Sequence, residues 1–182
     1  MKRQIRSIVF ETNSSSMHSL VIKKNGNACS DDELRKHLYL GNDNVWKIWD
    51  DDDIRFGRAP FQCLATFESK VRYAIASLCG WRDNREEVFQ EIEELVMEII
   101  PECCGIELPK MRYSWESEDK ICYGHVDEDI LSGFLRDEHI TLKEFLTNKK
   151  YVVIVDGDEY CIWDDLKKSG LVNANEIEKE CG

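Results

Sequence analysis

The sequence predicts a single α+β domain, and three patterns support this. Two strand-like runs flank a polar loop near the N-terminus, two helix-like stretches follow in the middle, and a strand–turn–strand pattern lies near the C-terminus. A length of 182 residues suits one domain, and a hydrophobic fraction of 42% is enough for a core. We therefore expect an N-terminal hairpin, a central antiparallel helix pair and a C-terminal β-hairpin.

The N-terminal hairpin is expected within residues 1–24. Residues 4–10 and 18–23 are rich in β-branched and other apolar side chains, which favours strands. The polar loop between them, 11–17, is longer than a two-residue turn, so its polar groups must bond to one another or to a ligand.

A short helix is expected next, over residues 29–41. Ser30 and Glu33 have the spacing of a capping box, and Gly41 is a suitable end. A strand containing Val45 and Trp46 then leads into a run of four aspartates.

The central helix pair is predicted over residues 60–100. The first helix runs from Pro60 to Gly80, because apolar residues recur there at steps of three and four. The second runs from Asn84 to Ile100 and is stopped by Pro101. Its apolar stripe is Val88, Ile92, Leu95, Val96 and Ile99, and its outward face is Glu86, Glu87, Glu91, Glu94 and Glu98.

The second half of the chain mixes both kinds of element. An extended segment is expected over 106–116, and short helices over 128–138 and 141–149. The second of these helices has Thr141 as its cap, with Glu144 completing a capping box. The C-terminal hairpin is expected within residues 150–163, turning at Asp156, Gly157 and Asp158.

Charge is unevenly distributed along the chain. The net charge is −12, yet residues 1–24 carry about +4, which leaves about −16 on the rest. Such an acidic body repels nucleic acid and attracts basic protein clefts, although solubility alone also explains acidity.

No apolar run is long enough to span a membrane or to form a signal peptide. We therefore expect a cytoplasmic protein whose eight cysteines are reduced thiols.

The serine-rich loop is the first candidate site. A serine beside His18 can form a nucleophile–base pair, but the chain has no Gly-x-Ser-x-Gly elbow. The same loop can hold a phosphate through hydroxyls, backbone N–H groups and nearby cations. Alternatively, the loop satisfies only its own backbone. The candidate phosphate or nucleic-acid contacts are Arg3, Arg6, Ser14, Ser15, Ser16, His18, Lys23 and Lys24.

A zinc site is the second candidate. Cys122 and His125 have usable spacing, and Cys103 and Cys104 can contribute thiolates. Adjacent cysteines are poor partners at one tetrahedral ion, and the chain has no Cys-x-x-Cys pair. We therefore favour core thiols over zinc, with Cys103, Cys122 and His125 as weak candidates, and expect no cofactor.

Carboxylate clusters are the third candidate. None has the spacing of a known Mg²⁺ motif, but together they can imitate the phosphates of a nucleic acid and fill a basic groove. The alternative is a merely solvated helix face. The candidate partner-binding residues are Asp50, Asp51, Asp52, Asp53, Glu87, Glu91, Glu94 and Glu98.

The run "RSIVFETNSSSMHSLVI", residues 6–22, resembles the N-terminus of small proteins from Firmicutes phages and mobile elements. In length, acidity and cysteine content, the chain is similar to members of that group identified as type II-A anti-CRISPR proteins, which inhibit Cas9. The resemblance covers residues 6–22 only.

This resemblance implies a stoichiometric binder without catalysis, which engages the Cas9–guide RNA complex and blocks target DNA binding or cleavage. Cas9 holds its nucleic acids in a positively charged channel, which suits an acidic partner. The basic N-terminal hairpin is then a candidate contact for guide RNA or target DNA. The alternative function is a phage enzyme or phosphate-ligand-binding protein that uses Ser14–Ser16 and His18.

Overall fold

The computed structural model describes residues 17–23, 26–56, 62–80, 82–111, 120–126 and 130–156. Helices and small sheets are mixed within them, so the predicted α+β class is confirmed. A 3-10 helix, Asp51–Ile54, lies between β2 and β3. The other elements are, in chain order, β1 (Met17–Ile22), α1 (Asp31–Arg35), β2 (Val45–Lys47), β3 (Gln62–Leu64), α2 (Phe67–Cys79), α3 (Arg85–Ile99), β4 (Gly105–Glu107), α4 (Ile130–Asp137), α5 (Leu142–Thr147) and β5 (Tyr151–Asp156).

β5 is the central strand of a three-stranded antiparallel sheet, with β1 on one edge and β3 on the other. Leu20 of β1 and Leu64 of β3 both lie opposite Val153. The run from Tyr151 to Val155 is buried at every position. β-Branched side chains suit such a strand, and their burial anchors the sheet in the core.

Each predicted hairpin is described for one of its two strands. β1 and β5 form where strands were expected, at 18–23 and within 150–163, whereas residues 4–10 and 159–163 lie outside the described part. Over 153–155, β5 has a partner on both edges, namely β1 and β3. Because β1 and β3 are far from β5 in the chain, no turn sequence between neighbouring strands predicts these pairings.

The central helix pair is α2 and α3, which pack together across a short connection. The predicted start of the first helix at Pro60 is wrong, because β3 occupies 62–64 and α2 begins at Phe67. The cause is a capping box: the Ser69 N–H donates to Thr66 Oγ1 at 3.1 Å, and the Thr66 N–H donates to Ser69 Oγ at 3.2 Å. No helix among the described residues is long and apolar enough to cross a membrane.

Two further helix predictions need correction. The Ser30–Glu33 capping box is present, but α1 ends at Arg35 instead of reaching Gly41. The chain leaves the helical conformation there, and His37 takes a φ of 72°. α5 has the predicted Thr141 cap, with the Glu144 N–H donating to its hydroxyl at 3.1 Å. The predicted capping box also needs the Glu144 carboxylate to bond back to Thr141. Instead, this carboxylate accepts a hydrogen bond from the Tyr151 hydroxyl at 3.1 Å.

A second, parallel sheet pairs β2 with β4 and places Trp46 opposite Ile106. Leu40 forms a bridge to the other side of Trp46. Trp46 is 1% exposed and belongs to the same core as α2 and β5. Ile106 of β4 is buried as well, whereas Lys47 and Glu107 form an ion pair at the surface.

Candidate functional site

The acidic face of α3 is the candidate site that the structure describes best. Val88, Ile92 and Val96 are buried, as the helical spacing predicts. Residues three and four positions apart share one side of a helix, so the outward glutamates form a single row. This acidic row is Glu87, Glu91, Glu94 and Glu98, and all four side chains are exposed.

Two glutamates at the margins of this row have structural partners. Lys143 of α5 lies 2.8 Å from Glu98 in an exposed ion pair. Glu93 accepts the backbone N–H of Ile106 at 2.7 Å and so fixes β4 against α3. Glu91 and Glu94, at the centre of the acidic row, are therefore the members best placed to contact a partner.

The aspartate run has a partly structural role. Asp53 lies 3.2 Å from Arg72 of α2, which also pairs with Glu68. Burial raises the pKa of Glu68 even though Arg72 opposes that change. Asp51 and Asp52 share the same 3-10 helix, which packs on α2. Because α3 also packs on α2, the aspartate run and the acidic row are both attached to α2.

The predicted phosphate site lies mostly outside the described residues. This applies to Arg3, Arg6, Ser14, Ser15, Ser16 and Lys24. His18 lies in β1, opposite Val155. Lys23 is partly buried, and its N–H donates to the Lys150 carbonyl at 2.8 Å. The alternative function therefore stays a prediction.

The predicted zinc ligands are not brought together. Cys103 and Cys122 are buried, whereas Cys104 and His125 are exposed. The Cys103 thiol donates to the Gly105 carbonyl at 3.4 Å. Across the described ranges, no group of three or more His, Cys, Asp or Glu side chains is arranged to hold a metal ion.

The described cysteines are free thiols, and burial disfavours the thiolate form of three of them. Burial raises the pKa of the Cys79 thiol to about 12, so it stays protonated at neutral pH. Burial also raises the pKa of Cys29 and Cys63. These thiols are poor nucleophiles and serve as small apolar groups.

Two exposed aromatic residues, Tyr39 and Trp49, were not predicted from the sequence. Tyr39 and Trp49 are each 77% exposed, which is unusual for side chains of this size. The available signal was alternation: Trp46 and Ile48 point inward, so Lys47 and Trp49 must point outward.

Comparisons of the chain with protein-family models, curated proteins and solved structures found no match.

Proposed function

We propose that the chain is a phage- or mobile-element-encoded anti-CRISPR protein. It binds the Cas9–guide RNA complex and inhibits target DNA binding or cleavage without catalysing a reaction. The observation that carries the proposal is the exposed acidic row on α3, taken with the N-terminal motif described above.

The geometry of the acidic row suits a groove that normally holds nucleic acid. From Glu87 to Glu98 the helix rises about 16 Å, at about 1.5 Å per residue. Four carboxylates over that length give one negative charge per about 5 Å, and Lys143 offsets the charge of Glu98. A DNA strand presents one phosphate per about 3.4 Å of helix axis. The two charge densities agree within a factor of two, so cations spaced to bind phosphates can also bind this row.

The rigidity of the row supports the same use. Its opposite face is fixed by buried Val88, Ile92 and Val96, and α3 packs on the largely buried helix α2. The helix backbone is therefore preorganised, and binding has to order only the exposed glutamate side chains. The remaining charge of the body extends the attractive field and accelerates association with a basic partner.

The test is inhibition of Cas9 cleavage by the wild-type chain and by Glu91→Gln/Glu94→Gln. The wild type is expected to titrate the Cas9–guide RNA complex, with inhibition complete near equimolar amounts. The double variant removes the two central charges and should inhibit about 10-fold less well, which corresponds to about 1.4 kcal/mol.

The matched control is Asp32→Asn/Glu138→Gln, which makes the same change in net charge at exposed positions on α1 and just after α4. It should inhibit like the wild type. If both variants inhibited Cas9 equally weakly, inhibition would depend on the net charge of the chain and not on the acidic row, which would contradict the proposal. Complete inhibition at a small fraction of the Cas9 concentration would indicate turnover and contradict the proposal.

A further inference from the structure

Tyr39 and Trp49 are the most exposed large apolar side chains in the described residues, at 77% each. Trp46, three residues before Trp49, is 1% exposed and holds the segment in the core. Exposed tryptophan and tyrosine are typical of the anchors that dominate binding energy at protein interfaces.

The backbone places both aromatic residues on one side of the small sheet. In the register of the Leu40–Trp46 bridge, Tyr39 is opposite Lys47, whose side chain points outward with that of Trp49. Lys47 Nζ lies 5.8 Å from the centroid of the Trp49 ring, a cation–π contact. We call Tyr39, Lys47 and Trp49 the aromatic patch.

Carboxylates surround this patch. Lys47 Nζ lies 3.4 Å from Asp43 and 3.2 Å from Glu107, and both of these residues are exposed. The four-aspartate run follows Trp49 directly in the chain. The only cation in the patch is thus already balanced by two carboxylates.

This charge pattern selects between kinds of partner. A single-stranded nucleic acid can stack its bases on tryptophan, but its phosphates would face the surrounding carboxylates. An arginine side chain can stack on the indole and donate hydrogen bonds to neighbouring carboxylates at the same time. Lysine offers a point charge without the planar stacking group.

We propose that Tyr39 and Trp49 are the anchor through which the chain binds an arginine-rich protein surface. The inference rests on the proposed function, because it takes the basic groove of Cas9 as the partner surface and adds a second contact to that of the acidic row.

The first experiment needs no Cas9. The indole N–H resonance of Trp49, assigned by its loss in Trp49→Phe, is followed by NMR during titration with a short all-arginine peptide. We expect a saturable shift, and affinity about threefold weaker for an all-lysine peptide of equal length. Peptide affinities of variants are measured by calorimetry, because Trp49→Ala lacks this resonance. Trp49→Ala should bind the arginine peptide about 10-fold more weakly than the wild type, as for an interface anchor.

The matched control is Ile121→Ala, which truncates a 52% exposed apolar residue outside the patch and should bind like the wild type. Trp49→Ala should melt at the wild-type temperature, since its side chain is mostly exposed. An unmoved Trp49 resonance, or equal peptide affinity of Trp49→Ala and Ile121→Ala, overturns the proposal. A stronger shift with a single-stranded oligonucleotide, or a shift from self-association, also overturns it by identifying another occupant.

Cas9 inhibition then separates the two proposals. Trp49→Ala should inhibit about 10-fold less well than the wild type. A wild-type chain without any effect on Cas9 contradicts the proposed function, and the peptide titration still decides the anchor. A wild-type chain that inhibits Cas9 no better than Trp49→Ala contradicts the anchor alone.

Discussion

Lys70 is a fully buried lysine on α2, and its ammonium group has a defined role. Nζ donates to the backbone carbonyl of Phe145 at 2.7 Å and to that of Asn148 at 3.0 Å. Carbonyls at the end of a helix lack internal donors, so Lys70 supplies donors to the end of α5. Burial lowers the pKa of Lys70 to about 8.

This pKa makes stability depend on pH in a specific window. The unfolded chain holds the Lys70 proton up to about pH 10.5, whereas the folded chain releases it near pH 8. The unfolded state thus binds more protons between these values, and the contribution of Lys70 to the free energy of unfolding rises with pH. The neutral amine retains two N–H donors for the two carbonyls.

Comparison with Lys70→Met isolates this effect, because the other titrating groups are common to both chains. In urea unfolding at about pH 7 and pH 10, the wild type should gain about 2 kcal/mol relative to the variant. A difference that does not change with pH would contradict the assigned pKa.

Glu93 and Glu94 are neighbours with opposite roles. Glu93→Ala removes the acceptor of the Ile106 N–H and should lower the free energy of unfolding by about 1–2 kcal/mol. Glu94→Ala removes an exposed carboxylate that is repelled by Glu91 and Glu98, so it should not lower the free energy of unfolding. Chemical denaturation measures both, and equal losses would refute the structural role of Glu93.

At the scale of elements, the acidic row costs α3 stability. Glu87 and Glu91, Glu91 and Glu94, and Glu94 and Glu98 are like-charged pairs three or four residues apart, each destabilising by about 0.2–0.5 kcal/mol. Glu91→Gln/Glu94→Gln removes all three repulsions. It should raise the free energy of unfolding by about 1 kcal/mol, measured by urea unfolding.

This gain would show that weaker Cas9 inhibition by the same variant does not arise from unfolding. A loss of stability in this variant would mean that Glu91 and Glu94 make favourable contacts within the fold. The row would then stabilise the protein itself, and weaker inhibition by the variant could not be attributed to a lost contact with Cas9.

Element prediction from the sequence succeeds where the signal is periodic and local. The apolar stripe of α3 fixed both its extent and its outward glutamates. The apolar residues before and after the Thr66–Ser69 capping box continue one helical spacing. The spacing therefore predicted a helix over the residues that form β3. The pairing of β5 with β1 and β3 depends on contacts across the chain, so no local pattern contains it.

The candidate site follows the same rule. The exposure of Glu91 follows from helical spacing, whereas the inward role of Glu93 depends on an N–H group 13 residues away. The exposure of Trp49 becomes predictable only once Trp46 is known to face the core. Sites formed by periodicity were therefore found, and those formed by tertiary contacts were not.

At the scale of the whole molecule, charge distribution is the property that most constrains a partner. A basic segment of 24 residues precedes a body of about −16, so the chain presents both signs. A basic protein channel that holds RNA can attract both parts. Association driven by charge must weaken as salt shortens the range of the field.

The most direct test of the central claim is the affinity of the chain for the Cas9–guide RNA complex, measured by calorimetry at increasing salt. Raising salt from about 0.1 M to about 1 M shortens the Debye length from about 10 Å to about 3 Å. We predict one chain bound per complex and an affinity that falls steeply over this range. Absence of binding at the lowest salt, or an affinity that does not change with salt, would contradict capture through the acidic surface.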